Sequence, residues 1–483
     1  MNTLLRRFTS AQLAERWVFT PCECLPDNAI GHPPRGKVTM SRVLSETASV
    51  PFTSVTNTDA STLIARRAAI ASATGTAVEY YEFSIYGYMA TLIAPLFFPS
   101  GNATAALLAT LAVFGIAFVV RPIGGVLLGR LADRIGRRKV LLTTVIGMGT
   151  ATALIGVLPT TAHIGIAAPV LLVLLRLFQG FFAGGEVVGA AAFVAESSPD
   201  GRRGFFGAFT PLGVAVGGAA GAIVCGVTTG LLSAEQLQSW GWRIPFFLSI
   251  PLVAFSFYMR HNVEETPAFK AFLAKEKPPV APVREVFRHN LPALLRVIVF
   301  AFAQNAGYFI GMVFMNIYLT TYLHFDKAKV YWVIAVVSLC MAAMMPFWGG
   351  LSDRIGRKKA LAIGFGGYVV LVVPMMMLMG SGGFWVAAFA MFVATLPMPV
   401  VQSVGYPTYA EQFPTRVRYT AMAISINIGA ILGGGLTPYV VTSLIADTGN
   451  LLLPGYFMGG AAVLALLALT TLRETARGGL RGE

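Results

Sequence analysis

One basic loop occurs twice in this chain, each time between two long apolar runs. The first copy is Gly129-Arg130-Leu131-Ala132-Asp133-Arg134-Ile135-Gly136-Arg137-Arg138-Lys139. The second is Gly349-Gly350-Leu351-Ser352-Asp353-Arg354-Ile355-Gly356-Arg357-Lys358-Lys359. A short turn with one acid and several bases, repeated in an otherwise apolar chain, marks two duplicated halves in a membrane. Charged residues are 12% of the chain and hydrophobic ones 55%, where a soluble domain averages roughly 25% and 45–50%. One soluble core could not bury that much apolar surface. The net charge of +14 sits mostly in short loops beside apolar spans, which is the positive-inside pattern and not a nucleic-acid footprint.

Apolar runs long enough to cross a bilayer, about 20 residues each, start near Ala68, Thr104, Val140, Ala168, Gly204 and Ile244. A second set starts near Leu291, Tyr331, Ala360, Phe384, Tyr419 and Leu453. The fold expected is all-α, with twelve transmembrane helices in two six-helix halves, 66–259 and 291–472. A charged cytoplasmic linker, 260–290, joins them, and 473–483 forms a tail. The runs are continuous and do not alternate, which excludes a β-barrel. Arg202, Arg203, Arg416 and Arg418 join the repeated loops on the even-numbered side, whereas Pro99–Ala103, Thr160–Ala162 and Ser381–Gly383 carry no charge. Even-numbered loops and both termini are therefore expected in the cytoplasm. Ala195-Glu196 with Pro199 and Arg203 recurs as Ala410-Glu411 with Pro414 and Arg418, extending the duplication.

Residues 1–65 read as a polar leader, with Met40 as the expected start and 1–39 as an upstream extension. Cys22, Cys24 and His32 are too few to make a metal site, and Cys225 and Cys340 sit in apolar runs as packing residues. No metal, cofactor or nucleophile–base set is expected, so the chain does not read as an enzyme.

Charges inside spans are expensive, and each is a functional hypothesis. Glu79 and Glu82 share a face of the first span, about 16 and 21 Å from its cytoplasmic edge, and Arg176 on the fourth span lies about 18 Å from the same edge. Such a cluster can exchange a proton; a static salt bridge is the alternative. Arg121 and Glu186 lie nearer the cytoplasm and read as an inner gate or a scaffold, alongside Asp133, Arg134, Asp353 and Arg354 in the repeated loops. Candidate substrate contacts are Gln304, Asn305 and Tyr308 on the seventh span, Gln402 and Tyr406 on the tenth, and Asn427 on the eleventh. Neutral amides and phenols orient a ligand without adding charge, although helix–helix hydrogen bonds use them too. Gly213, Gly217, Gly218, Gly221 and Gly429, Gly433, Gly434, Gly435 permit close helix packing.

Both loops, together with Arg176-Leu177-Phe178-Gln179-Gly180 and Gly184, resemble the signatures of the major facilitator superfamily. Other segments resemble its metabolite:proton symporter family. They are Glu79-Tyr80-Tyr81-Glu82-Phe83 with Tyr86-Gly87, Gly184-Gly185-Glu186, Trp240-Gly241-Trp242-Arg243-Ile244-Pro245-Phe246, Glu265-Thr266-Pro267 and Phe413-Pro414-Thr415-Arg416-Val417-Arg418. The match covers about residues 65–475. Glu82 departs from it, since the family usually has Asp there. Thr210-Pro211 replaces the drug-antiporter Gly-Pro, and Glu264-Glu265-Thr266-Pro267 replaces the sugar-porter motif. That family imports carboxylates, and zwitterions such as proline and betaine, with protons. The resemblance implies proton coupling at Arg176, and Tyr86 joins the candidate substrate contacts. The expectation is a proton-coupled importer of a small organic acid (a mono- or dicarboxylate) or a related zwitterion, monomeric in the inner membrane. Arg176 is either the modulator of Glu79 and Glu82 or the carboxylate anchor. An exporter or uniporter on the same fold, or a membrane sensor that does not transport, stays open.

Overall fold

A computed structural model describes residues 57–135, 137–261, 283–414, 417–476 and 478. Among them, ten helices are long and apolar enough to cross a membrane. These are Ala103–Leu128, Ala167–Ser197, Arg203–Leu231, Gly241–Tyr258, Leu291–Tyr322, Lys327–Ile355, Arg357–Ser381, Phe384–Gln412, Arg418–Thr448 and Leu453–Thr470. They are spans 2, 4 to 8 and 9 to 12. Asn57–Tyr88, whose two buried glutamates lower its hydropathy, is span 1, and Arg137–Val157, apolar only from Leu142, is span 3.

Span 1 begins inside the stretch read as leader. Its first turns are helix, yet Leu63, Ile64, Arg66 and Arg67 are exposed. The helix outruns its apolar stripe because helix propensity continues past the residues that burial requires. The expectations for Met40 and 1–39 lie outside the described residues, as does most of the linker, whose end is a short helix, Val283–His289, with Val286 buried.

Small residues decide the closest approaches. A Cβ on Gly217 of span 5 would stand 2.2 Å from the Ala77 carbonyl of span 1. One on Gly433 of span 11 would stand 2.1 Å from the Phe302 carbonyl of span 7. The same packing, span 5 on 1 and span 11 on 7, thus appears in both halves, as the duplicated sequence requires. The second basic loop turns on Gly356, whose φ of 99° only glycine adopts readily.

Contacts between the halves close both ends. On the basic-loop side, the Asp353 carboxylate accepts from the backbone N–H groups of Gly204 (2.8 Å) and Phe205 (2.9 Å), capping the start of span 5. Arg418 pairs with Glu196 at 3.0 Å across the halves. Arg357 is buried between Asp353 (2.9 Å) and Glu411 (3.0 Å). The arginines of this loop differ in their contacts. Arg354 is exposed, and Arg357 makes the bridge because it lies four residues from Asp353 across the glycine turn. The side chains of Asp133 and Arg134 lie outside the described residues. The tail adds to this closure. Glu474 accepts from the N–H groups of Arg357 and Lys358, Thr475 donates to Glu411, and Arg203 of span 5 donates to the Gly478 carbonyl. At the other end, Tyr331 and Asn316 both donate to the Tyr88 carbonyl, at 2.7 and 3.0 Å, where span 1 breaks before Met89. Among the described residues, contacts thus join the halves at both ends.

Candidate functional site

Between the halves a narrow cavity remains, with room for little more than a water molecule. Tyr80, Arg121, Gly184 and Val188 line it from the first half, and Asn305, Tyr406, Asn427 and Ile426 from the second. Arg121 is its cation. The guanidinium lies over the Phe83 and Phe118 rings, 4.1 and 4.4 Å from their centroids, and pairs with Glu79 at 3.4 Å. Both side chains are 5% exposed or less. The contact is longer than the 2.7–2.9 Å of a tight charge-assisted hydrogen bond.

Glu79 also lines a second small cavity, inside the first half, with Glu82 and Glu186. The Glu79–Arg121 pair is thus the wall between an acidic pocket and the inter-half cavity. The sequence reading joined Arg121 to Glu186; the ion pair formed is with Glu79. The reason is register. Span 4 turns at Gly184-Gly185, and Glu186 opens the next helical piece on the acidic pocket's side.

Arg176 stands apart from both cavities. It is fully buried, stacked 4.1 Å above the Tyr86 ring, and forms no ion pair among the described residues. Its Nη1 donates to Gln179 Oε1 (2.6 Å), Gln179 Nε2 donates to Thr152 Oγ1 (2.6 Å), and Thr152 Oγ1 lies 2.9 Å from Glu82 Oε2, to which it can donate. Arg176 therefore reaches Glu82 through two neutral residues and does not touch Glu79. Thr152 and Gln179 were missed in the sequence reading. Gln179 carried a signal, lying three residues after Arg176 on one helical face; Thr152 carried none.

The second-half candidates divide. Asn305, Tyr406 and Asn427 face the cavity, and Asn427 also donates to the Gly184 carbonyl across the halves at 3.2 Å. Gln304 and Gln402 are instead bonded to each other (2.7 Å), with Tyr409 donating to Gln304, so they tie span 7 to span 10. Tyr308 packs edge-on to Tyr80 at 5.6 Å, while Tyr86 supports Arg176 and is not a wall of the cavity. Span 7 loosens beside this region into π-helical turns at Phe309–Phe314 and Tyr318–Tyr322, and span 11 does so at Ile431–Gly435. Such turns occur frequently at functional sites.

Two helical halves, joined at both ends around buried charges, form the architecture of a secondary transporter. The family model described as "Sugar (and other) transporter" matches residues 68–278, and that of the Major Facilitator Superfamily matches 297–483. The glycine betaine/proline/ectoine/pipecolic acid transporter OusA of Dickeya dadantii is 36% identical, over 86% of this chain and 85% of that one. The proline/betaine transporter of Escherichia coli K12 is 34% identical over the same shares. The ectoine/proline transporter ProP of Corynebacterium glutamicum is 36% identical, over 85% of this chain and 84% of its own. A crystal structure of a D-xylose–proton symporter superposes with a TM-score of 0.70 at 16% identity, covering 85% of this chain and 98% of that one, which speaks for the fold. The chain belongs to the major facilitator superfamily, and within it to the metabolite:proton symporter family that includes the proline/betaine transporters. It is a multi-pass membrane transporter and not an enzyme.

Proposed function

We propose that this protein imports a small zwitterion with a carboxylate at one end and an ammonium at the other, driven by protons. Arg121 carries the reading: it is a cation on the inter-half cavity, held from behind by a carboxylate that can be neutralised. When Glu79 takes a proton from the acidic pocket, Arg121 is released to hold a substrate carboxylate. Tyr80 and Tyr406 are the aromatic residues lining the cavity for a quaternary or secondary ammonium, and Asn305 and Asn427 supply neutral polar contacts. This moves the carboxylate anchor from Arg176 to Arg121.

A zwitterion fits better than a dicarboxylate, because a second carboxylate would meet no second cation among the residues lining the cavity. The relatives named for proline, betaine and ectoine support the same class. Glu79 and Glu82 bear the proton, and Glu186 shares their pocket. The halves, 66–259 and 291–472, rock about the site, with the basic loops and termini in the cytoplasm. The protein works as a monomer.

Uptake into proteoliposomes under an imposed inward proton gradient tests this. Betaine or proline should accumulate, and a protonophore should abolish the accumulation. A zwitterion moving with one proton carries net charge, so an inside-negative potential should drive it, by about 2.3 kcal/mol per 100 mV. Accumulation of a monocarboxylate without response to potential would replace the zwitterion by an organic acid. Outward-only transport would make the protein an exporter.

A further inference from the structure

The acidic pocket has an unequal pair of oxygens. Glu82 Oε2 is 2.9 Å from the Thr152 hydroxyl, while Glu82 Oε1, fully buried, has no hydrogen-bond partner. The carboxylate is thus fixed at one oxygen and open at the other, in a pocket it shares with Glu79 and Glu186. Oε1 is where a proton can arrive without breaking an existing bond.

The Thr152 hydroxyl has one hydrogen and two acceptors: Glu82 Oε2 at 2.9 Å and the Met148 carbonyl at 3.0 Å. At nearly equal distances, the charge on Glu82 decides between them. An ionised carboxylate draws the hydrogen; a neutral one lets it turn to Met148. The other side of the same oxygen accepts from Gln179, which in turn accepts from Arg176. Arg176, fully buried, has no carboxylate of its own in ion-pair contact among the described residues, so this chain is its polar link to an acid.

We infer that Thr152 and Gln179 are positioning residues of the proton site, a switchable relay that conveys the charge of Glu82 to Arg176. This rests on the proton-coupled reading above. The charged or titratable groups around Glu82 are Glu79 and Tyr81 on its own span and Glu186 on span 4, with Arg176 of span 4 reached through Gln179 and Thr152. Span 3 contributes the neutral Val145, Met148 and Thr152. Tyr81 is engaged elsewhere, donating to the Pro245 carbonyl of span 6 at 2.7 Å. The hydroxyl is therefore the contact through which the surroundings adjust Glu82 specifically.

The test is difference infrared spectroscopy of the purified full-length protein, titrated with pH, with Glu82→Gln identifying the carboxyl C=O band of protonated Glu82. Thr152→Val removes the hydrogen bond to Glu82 and should move the midpoint of that band to higher pH by about one unit or more, the worth of one hydrogen bond to a charged group. Gln179→Leu, which leaves that bond but cuts Thr152 off from Arg176, should move it in the same direction by less. Thr152→Ser, which keeps the hydroxyl, should restore the wild-type midpoint. In proteoliposomes the pH profile of uptake should follow the same order. An unchanged midpoint in Thr152→Val or Gln179→Leu overturns the relay, whatever the transport activity. A shifted midpoint in a protein whose wild type shows no proton-driven uptake would keep the relay and remove the proton-coupled reading.

Discussion

Glu79→Gln separates the roles assigned to Arg121. The pair is 3.4 Å apart and both side chains are buried, so at an effective dielectric near 20 their attraction is about 5 kcal/mol. A substrate carboxylate arriving at Arg121 competes with that attraction. Glutamine keeps the shape and a polar end but removes the charge. If only about a quarter of the attraction survives relaxation of the site, substrate binding to the variant tightens about tenfold. Without substrate, the same change leaves a buried guanidinium uncompensated, which costs about 3–5 kcal/mol in buried pairs. The rings of Phe83 and Phe118 offset part of this. Calorimetric titration of the purified protein with betaine and proline at neutral pH reads the affinity, and thermal unfolding with and without ligand reads the stability. Glu79→Gln should bind more tightly, melt lower when empty, and recover much of the loss with ligand. In proteoliposomes it should catalyse exchange but fail to accumulate. Equal affinity in the two proteins, or accumulation by the variant against a gradient, refutes the argument.

Other consequences follow from the same geometry. Arg121→Lys keeps the charge but loses the flat fork that lies between Phe83 and Phe118, and should raise KM about tenfold or more, measured as initial uptake rates. Gly217→Ala and Gly433→Ala place a methyl against backbone carbonyls of spans 1 and 7; both should lower the yield of folded protein, read by size-exclusion chromatography in detergent. Glu411→Gln removes one of the two carboxylates on Arg357 and should loosen the basic-loop end, seen as faster labelling of cysteines introduced there. Burial raises the Glu474 carboxyl, but the N–H groups of Ala476, Arg357, Lys358 and Thr475 outweigh it and leave its pKa below the ordinary 4.5. The tail's docking should therefore be complete at neutral pH and be lost as pH falls below 4.5 through the lower docked value, measured by amide exchange at 473–476, with Glu474→Gln released already at neutral pH.

Much of the architecture was legible in one dimension. Starts near Ala168, Gly204, Leu291, Phe384 and Leu453 fall within a residue or so of helix starts, because crossing a bilayer demands a continuous apolar run that any window detects. The start of span 1 was less legible, since nothing in an apolar pattern says how far helix continues into water. Buried charges announced themselves by their cost, which is how Glu79, Glu82, Arg121, Arg176 and Glu186 were found. Their partners did not. Arg121 meets Glu79, Arg357 and not Arg354 bridges Asp353 and Glu411, and Thr152 connects two candidates while looking like any threonine in an apolar span.

By itself, then, the sequence determined that this chain spans a membrane as two like halves, which of its charges the membrane hides, and which family it resembles. Those follow from local quantities: hydropathy, the distribution of bases, and short motifs. Tertiary structure decided which hidden charge faces the inter-half cavity and which lies behind it. That choice depends on helix rotation and on where spans 1, 2 and 4 break or turn, and rotation is set by close packing at residues such as Gly217 and Gly433, many positions away from the charges they aim.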